Sequence, residues 1–252
     1  MQRPVRTVDD VLGLLDQLLA ADDERRQPGP AGESWWDWFY GDRDRGIPFF
    51  AAKPDENLVS YVERGIVAPG RAVDLGCGPG RNAIYLASRG FEVDAVDLSE
   101  VALSWAAERA AGAGAQVTFR AASIFAAGLP DGQFDLVYDS GCLHHLPPHR
   151  RPAYLDLVNR LLAPGGHYAL TCFAVGQMGS ELADLEFYRQ RSLLGGLAFS
   201  EEDLRYLFSD LVEVELRPMR PEPEDSAVFG MPYLITALFR APVHTPADPG
   251  ER

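Results

Sequence analysis

The sequence predicts a doubly wound α/β domain built on a parallel sheet, and three observations lead there. From residue 71 onward, short apolar runs of strand length alternate with segments of helical periodicity, the pattern of a parallel sheet with helices on both faces. The first run, 71–75, leads straight into Gly76-Cys77-Gly78-Pro79-Gly80, and behind it Ala83, Ile84, Leu86 and Ala87 fall on one helical face. Three glycines at alternate positions make a tight strand-to-helix turn, because glycine accepts positive φ and lets a ligand approach the backbone. The next run, 91–96, ends at Asp97, which puts a carboxylate at the carboxyl end of a strand, where open α/β sheets bind ligands.

The elements follow in order. Residues 7–20 form a helix, with Thr7 as its cap, Asp10 at the capping-box position, and Val8, Val11, Leu12, Leu15, Leu18 and Leu19 as its apolar stripe. The proline- and glycine-rich stretch 27–32 is a linker. Residues 35–40 then hold five aromatic side chains in six positions, followed by a charged turn between Gly41 and Gly46 and by Ile47, Pro48, Phe49 and Phe50. So many rings cannot share one helical face. The segment either plugs the domain's own core or forms a lid, and the polar groups among its rings, together with its place ahead of the sheet, favour a lid. A helix over 55–64 leads into the first strand.

Strands are expected at 71–75, 91–97, 116–121 and 134–139, with Ser99 opening the helix between the second and third. A helix over 150–162 carries Pro152 in its first turn, and Ala163-Pro164-Gly165-Gly166 turns into strand five at 167–173. Residues 174–199 form an irregular insertion with a helix near 181–193. Ser200 caps a helix running to 208, and strands at 211–216 and 232–240 close the fold around an acidic, proline-rich loop at 218–226. This divides the chain into a lid segment at 1–54, a ligand-binding domain at 55–240 and a disordered tail at 241–252.

Composition narrows the function. A chain of 252 residues, 46% of them hydrophobic, suffices for one α/β domain with appendages. A net charge of −14 lacks the basic footprint that nucleic acid requires. Three cysteines without framework spacing suit a reducing compartment, and there is no secretory apolar core and no membrane-length apolar run, so a soluble, cytoplasmic protein without a membrane partner is expected. A single lysine, Lys53, among 23 basic residues reflects compositional bias and carries no functional reading.

The turn itself selects its ligand. A dinucleotide fingerprint needs a third glycine at position 81, where Arg81 stands, and no G-K-[ST] follows that would make a phosphate loop. Asp74 and Asp97 also make an acidic rim that a pyrophosphate would not favour. S-adenosylmethionine has no phosphate, carries an adenosine, and brings cationic sulfonium and amino groups to that rim. VDLGCGPGRN (73–82) followed by VDAVDLS (93–99) resembles the nucleoside-binding half of class I S-adenosylmethionine-dependent methyltransferases. FDLVYDSGCLHHL (134–146) and LLAPGGHYALTCF (161–173) are similar to the fourth- and fifth-strand segments of the same family, so the resemblance spans the core. GRNAIYLASRGFEVDAVDLS (80–99) also looks like the small-molecule branch that includes tellurite and thiopurine methyltransferases. The resemblance implies a seven-stranded, mostly parallel sheet whose last strand is antiparallel, and a methyl transfer from S-adenosylmethionine to a small molecule. A non-catalytic S-adenosylmethionine-binding protein and an NAD-dependent oxidoreductase remain as alternatives.

The resemblance also assigns roles. Asp74, Gly76, Cys77, Gly78, Gly80, Arg81 and Asn82 would form the turn around the methionine end, Asp97 would accept the ribose hydroxyls, and Leu98 would lie against the adenine. Ser123, with Ile124, stands where relatives commonly carry an acidic residue for the adenine amino group. Asp139, Ser140 and Gly141 would follow strand four beneath the sulfonium, while Asp135 reads as structural. His144 and His145 at the mouth of strand four are candidates for proton transfer, or else packing elements, and Tyr40 is the hydroxyl expected near the transferring methyl. Arg43 and Arg45 are the cations expected to approach from the lid. No metal site is expected, since His144, His145 and His149 lack a matching cysteine or carboxylate pattern.

Overall fold

The computed structural model of the chain describes residues 5–20, 23, 25 and 34–243, so the expected linker at 27–32 and residues 244–252 of the expected tail lie outside it. Seven strands form one sheet in the order β3-β2-β1-β4-β5-β7-β6. They are β1 (Arg71–Leu75), β2 (Glu92–Asp97), β3 (Val117–Ala121), β4 (Phe134–Ser140), β5 (Leu162–Phe173), β6 (Val212–Pro218) and β7 (Leu234–Arg240). Strands β1 to β5 pair in parallel, and β7 inserts antiparallel between β5 and β6. The order reverses between β1 and β4, and a crevice opens beyond the carboxyl ends of the strands at such a reversal.

Eight helices surround the sheet among the described residues: α1 (Val8–Ala20), α2 (Trp35–Gly41), α3 (Glu56–Glu63), α4 (Arg81–Ser88), α5 (Glu100–Ala113), α6 (Arg151–Leu161), α7 (Asp184–Gln190) and α8 (Glu201–Leu207). Because successive strand residues face opposite sides, Val73, Val137 and Leu170 pack with Tyr154, Leu157 and Leu161 of α6 on one face. Ala72, Leu136 and Ala169 pack on the other with Leu58 and Tyr61 of α3 and Leu86 of α4. Both strand faces are covered, as a parallel sheet requires.

Two expectations change and one holds. The turn expected at 163–166 lies inside β5: Phe134 pairs with Leu162, the register shifts, and pairing resumes at Leu136 with His167. Gly166 permits this bulge, since a Cβ there would lie 2.7 Å from the Phe134 carbonyl oxygen. The stripe of α1 is largely exposed, with Val8 at 75% and only Leu19 buried, although the predicted Thr7–Asp10 capping box is present. This helix is held by polar contacts instead, His149 and Arg150 both meeting Asp16. Asp135 is structural, its carboxylate accepting the Arg71 backbone N–H at 2.8 Å.

Candidate active site

A cavity of about 920 Å³ opens over the carboxyl ends of β1 to β5. Its floor begins at the glycine turn. The Gly76 and Cys77 N–H groups donate to the Val96 carbonyl, tying β1 to β2, and the Gly78 N–H donates to Asp97 Oδ2 at 2.8 Å. Asp97 Oδ1 accepts from the Ser99 N–H at 2.9 Å. The carboxylate is thus fixed by one backbone donor on each oxygen and keeps lone pairs for a diol. Burial raises its proton affinity and these backbone donors oppose that rise.

Asp74 is 1% exposed, and neither carboxylate oxygen has a hydrogen-bond partner. Burial pushes its pKa up to about 8, the Arg81 charge opposing and the nearby Asp55, Asp139 and Asp97 reinforcing the rise. A buried carboxylate left without a donor is a costly arrangement unless a ligand supplies one. A ligand with a cationic amino group fits that demand, and one with a ribose fits Asp97. Leu98, Ser123 and Ile124 line the wall beyond Asp97, where the base of such a nucleoside would rest.

Beside the turn, Asp55 gathers a buried network. Its carboxylate accepts from Tyr138 and Ser140 hydroxyls, both at 2.6 Å, and from Asn82 Nδ2 at 3.0 Å, and it pairs with Arg81 Nη1 at 2.5 Å. Arg81 also donates to the Lys53 carbonyl and to Ser140 Oγ. Arg81 and Asn82 therefore border the cavity but spend their polar ends on the residue that opens α3.

The aromatic segment covers the cavity. In α2 the i,i+4 pairs Trp35–Phe39 and Trp36–Tyr40 stack, while Trp38 turns away beneath Arg45. Tyr40 and Phe50 also bury against Ala102 and Trp105 of α5. The segment thus lines the cavity and forms a small core at once. Asp37 seats it: Oδ1 accepts from Ser99 Oγ at 2.6 Å and the Val101 N–H at 3.3 Å, at the first turn of α5. The Tyr40 hydroxyl closes over the turn, 3.0 Å from where a Gly78 Cβ would stand, and no described residue hydrogen-bonds it.

On the β4–β5 side, His144 is 4% exposed and stacks on Phe173 at 3.8 Å between ring centres. His144 Nε2 lies 3.1 Å from His145 Nε2, and His145 Nδ1 lies 2.6 Å from Arg25 Nη1. Trp36 meets the His145 ring edge-on. Burial, reinforced by the Arg25 charge, lowers the His144 pKa to about 3. Phe49, Phe229, Tyr233 and Met178 complete a largely apolar wall.

Most of the site residues expected from the sequence meet at this cavity: Tyr40, Asp74, Gly76, Cys77, Gly78, Arg81, Asn82, Asp97, Leu98, Ser123, Ile124, Ser140, Gly141, His144 and His145 all border it. Two do not. Gly80 packs helices together, a Cβ there falling 2.9 Å from Ala106 Cβ. Asp139 is fully buried behind the wall and accepts from the Cys142 and Leu143 N–H groups and the Tyr154 hydroxyl, so it shapes the turn after β4. The expected lid cations are also absent from the cavity, since Arg43 pairs with Glu108 and Arg45 lies on Trp38. Arg25 stands there instead. Thr171, Phe173 and Tyr233 were missed, because only the strand order and the antiparallel pairing bring the end of β5 and the start of β7 together at the cavity. Among the described residues no cluster of three or more His, Cys, Asp or Glu could hold a metal, and no helix is long and apolar enough to cross a membrane.

Residues 72–166 match the family described as methyltransferase domain. The chain is 33% identical over 127 residues to the 2-heptyl-1-hydroxyquinolin-4(1H)-one methyltransferase of Mycobacteroides abscessus, covering 50% of this chain and 56% of that protein. It is 29% identical over 188 residues to phosphoethanolamine N-methyltransferase 1 of Arabidopsis thaliana, covering 67% of this chain and 37% of that one. The chain thus spans about half the length, or less, of these curated relatives. Among solved structures, the 1,6-didemethyltoxoflavin-N1-methyltransferase of Burkholderia thailandensis shares the fold with a TM-score of 0.60 at 21% identity, over 96% of this chain and 93% of that one. TehB of Haemophilus influenzae does so with a TM-score of 0.55 at 19% identity, over 73% and 61%.

Proposed function

Because the chain carries a class I S-adenosylmethionine-dependent methyltransferase domain, with S-adenosylmethionine as its cofactor, we propose that it methylates an apolar, ring-containing small molecule. One observation carries the choice of acceptor. The cavity wall beyond the turn is built from Trp35, Trp36, Phe39, Phe49, Phe173 and Tyr233, which suits a flat, apolar partner. Two of the cations on that wall are already committed, Arg81 to Asp55 and Arg150 to Asp16, so a phosphorylated acceptor finds little there to hold it. The relative that acts on a hydroxyquinolone is accordingly a better guide to the acceptor than the one that acts on phosphoethanolamine.

S-adenosylmethionine supplies the methyl group from a sulfonium that carries its own activation. The residues of this chain bind, orient and exclude water. Asp74 would pair with the cofactor's amino group and Asp97 with the ribose hydroxyls, while Leu98 and Ile124 flank the base. The lid residues Trp36, Phe39 and Tyr40 cover the reacting centre and keep water out, and fixing the acceptor's approach supplies much of the rate.

The test measures S-adenosylhomocysteine release with a panel of small acceptors. Hydroxyquinolones and other hydroxylated aromatic heterocycles are expected to be methylated and phosphoethanolamine is not. Faster turnover of phosphoethanolamine would overturn the choice of acceptor, and no release with any acceptor alongside normal cofactor binding would make the protein a binder.

A further inference from the structure

Helix α5 carries Ala102, Trp105, Ala106 and Arg109 along one face, at the i, i+3, i+4, i+7 spacing of helical neighbours. The two alanines let other backbone come close. Tyr40 and Phe50 bury against Ala102 and Trp105, and a Cβ at Gly80 would fall 2.9 Å from that of Ala106. Arg109, one turn further on, lies between the two groups so placed. Its Nη1 donates to the Pro79 carbonyl at 3.4 Å and its Nη2 donates to the Phe50 carbonyl. The guanidinium is half-buried, 4.0 Å from the centre of the Trp105 ring, and no described carboxylate pairs with it. The neighbouring Arg43 does have such a partner, Glu108 at 2.6 Å. Arg109 therefore serves two backbone oxygens and an indole face, which belong to the glycine turn, the aromatic segment and the helix between them.

These contacts close a circuit. One arm runs from Arg109 to Pro79 in the turn. The other runs to Phe50, whose ring stacks on Tyr40 at 5.6 Å between centres, and the Tyr40 hydroxyl returns to the turn at Gly78. The turn is the fixed side. The Val96 carbonyl holds the Gly76 and Cys77 N–H groups, Asp97 holds that of Gly78, and the Cys77 carbonyl holds that of Gly80 at 3.0 Å. On the other side, the N–H groups of Phe50 and Ala51 bond only within their own turn, to Ile47 and Pro48, so among the described residues Arg109 is the polar tie of that turn to the domain. From this circuit we infer that Arg109 is a positioning residue: it sets the height of the Tyr40 ring over the glycine turn, and through Tyr40 the fit of the methionine end of S-adenosylmethionine. The inference rests on the proposed placing of the cofactor, with its methionine end at the turn and its ribose at Asp97. Arg109 is not among the residues that line the cavity, so it acts from behind the turn and touches neither cofactor nor acceptor. What it governs is the slot in which the sulfonium is aimed, and small displacements of a reacting group are felt strongly there.

The test uses the full chain with two ligands: S-adenosylhomocysteine, which reaches the turn, and adenosine, which stops at the ribose. Arg109→Gln should weaken S-adenosylhomocysteine by about fivefold or more, within the range by which residues outside a ligand contact shift its binding, and should leave adenosine within about twofold. Arg109→Lys, which keeps the charge and can reach one of the two carbonyls, should recover part of the loss, and it carries the same comparisons should Arg109→Gln fail to fold. In a Tyr40→Leu background the loss caused by Arg109→Gln should shrink to less than about twofold, because the group through which Arg109 acts is gone. Amide exchange without ligand should speed up across 47–52 in Arg109→Gln and stay as in the wild type across 76–80. Unchanged S-adenosylhomocysteine affinity, equal losses for the two ligands, the same loss with and without Tyr40, or wild-type exchange across 47–52 would each overturn the inference. Asp97→Ala, which should weaken both ligands alike, tests the cofactor's placing by itself, so the two failures are distinguishable.

Discussion

Replacing Asp74 by asparagine should make the ligand-free protein more stable and the cofactor weaker, two effects of one carboxylate. The group titrates at 3.8 in an unfolded reference and at about 8 when folded, because burial penalises its charge. Between those values the folded state binds more protons than the unfolded state, so this group's contribution to stability falls as pH rises and levels off above the folded pKa. At neutral pH the interval spans about 3 pH units, and at about 1.4 kcal/mol per unit the carboxyl costs the fold roughly 4 kcal/mol. Asparagine removes that cost but leaves a buried amide unpaired, at about 1–3 kcal/mol, for a net gain near 2 kcal/mol at neutral pH. Urea denaturation without ligand, repeated between about pH 5 and pH 7, reads both parts: the difference between variant and wild type should widen by about 1.4 kcal/mol per pH unit. Calorimetry should show S-adenosylmethionine bound more weakly by about 1.5–3 kcal/mol, as the amino group loses a charged partner. Parallel pH profiles for the two proteins, or unchanged cofactor affinity, would refute the assignment of an orphaned, ligand-seeking carboxylate.

Three further outcomes follow from the same cleft. Asp97→Ala should weaken S-adenosylhomocysteine by about 1.5–3 kcal/mol in calorimetry, and unchanged affinity would remove Asp97 from the ribose. Asp37→Ala removes the contacts to Ser99 and Val101 and should cost about 1 kcal/mol of stability. Amide exchange across 34–50 should speed up in that variant, and in the wild type S-adenosylhomocysteine should slow it; equal exchange with and without ligand would make the segment ordinary core. Tyr40→Phe should change stability by less than about 0.5 kcal/mol, since no described residue bonds the hydroxyl, and should lower turnover. Unaltered turnover would reduce Tyr40 to packing.

The parts of the fold that local chemistry determines were legible in the sequence. Strand β1, the glycine turn and Asp97 follow from period, glycine spacing and the place of a carboxylate at a strand end, and the structure sets them at hydrogen-bond distance. The Ser200 cap, with Asp203 completing its box, was equally local. Gly80 misled because a glycine that admits a ligand and one that admits a neighbouring helix look the same in a string. Asp139 misled because a strand-end carboxylate can turn toward the cavity or toward the N–H groups behind it, and the Tyr154 hydroxyl that settles the matter lies on another helix. Arg25 gave no local signal. Its place beside His145 depends on a sequence separation of 120 residues, which no pattern of neighbours encodes.

Ser99 stands at a joint between two ligand-facing devices. Its N–H holds the Asp97 carboxylate and its hydroxyl holds Asp37 of α2, while the same hydroxyl oxygen accepts from the Ala102 N–H as the cap of α5. Free energy exchanged through such a joint is symmetric: the factor by which a bound ribose favours the seated lid equals the factor by which the seated lid favours the ribose. On the proposed reading, a ligand that reaches only the nucleoside end would act through this joint on the wall proposed for the second substrate, without touching it. Occupancy at one end of the cleft would then be information at the other, carried by a single side chain.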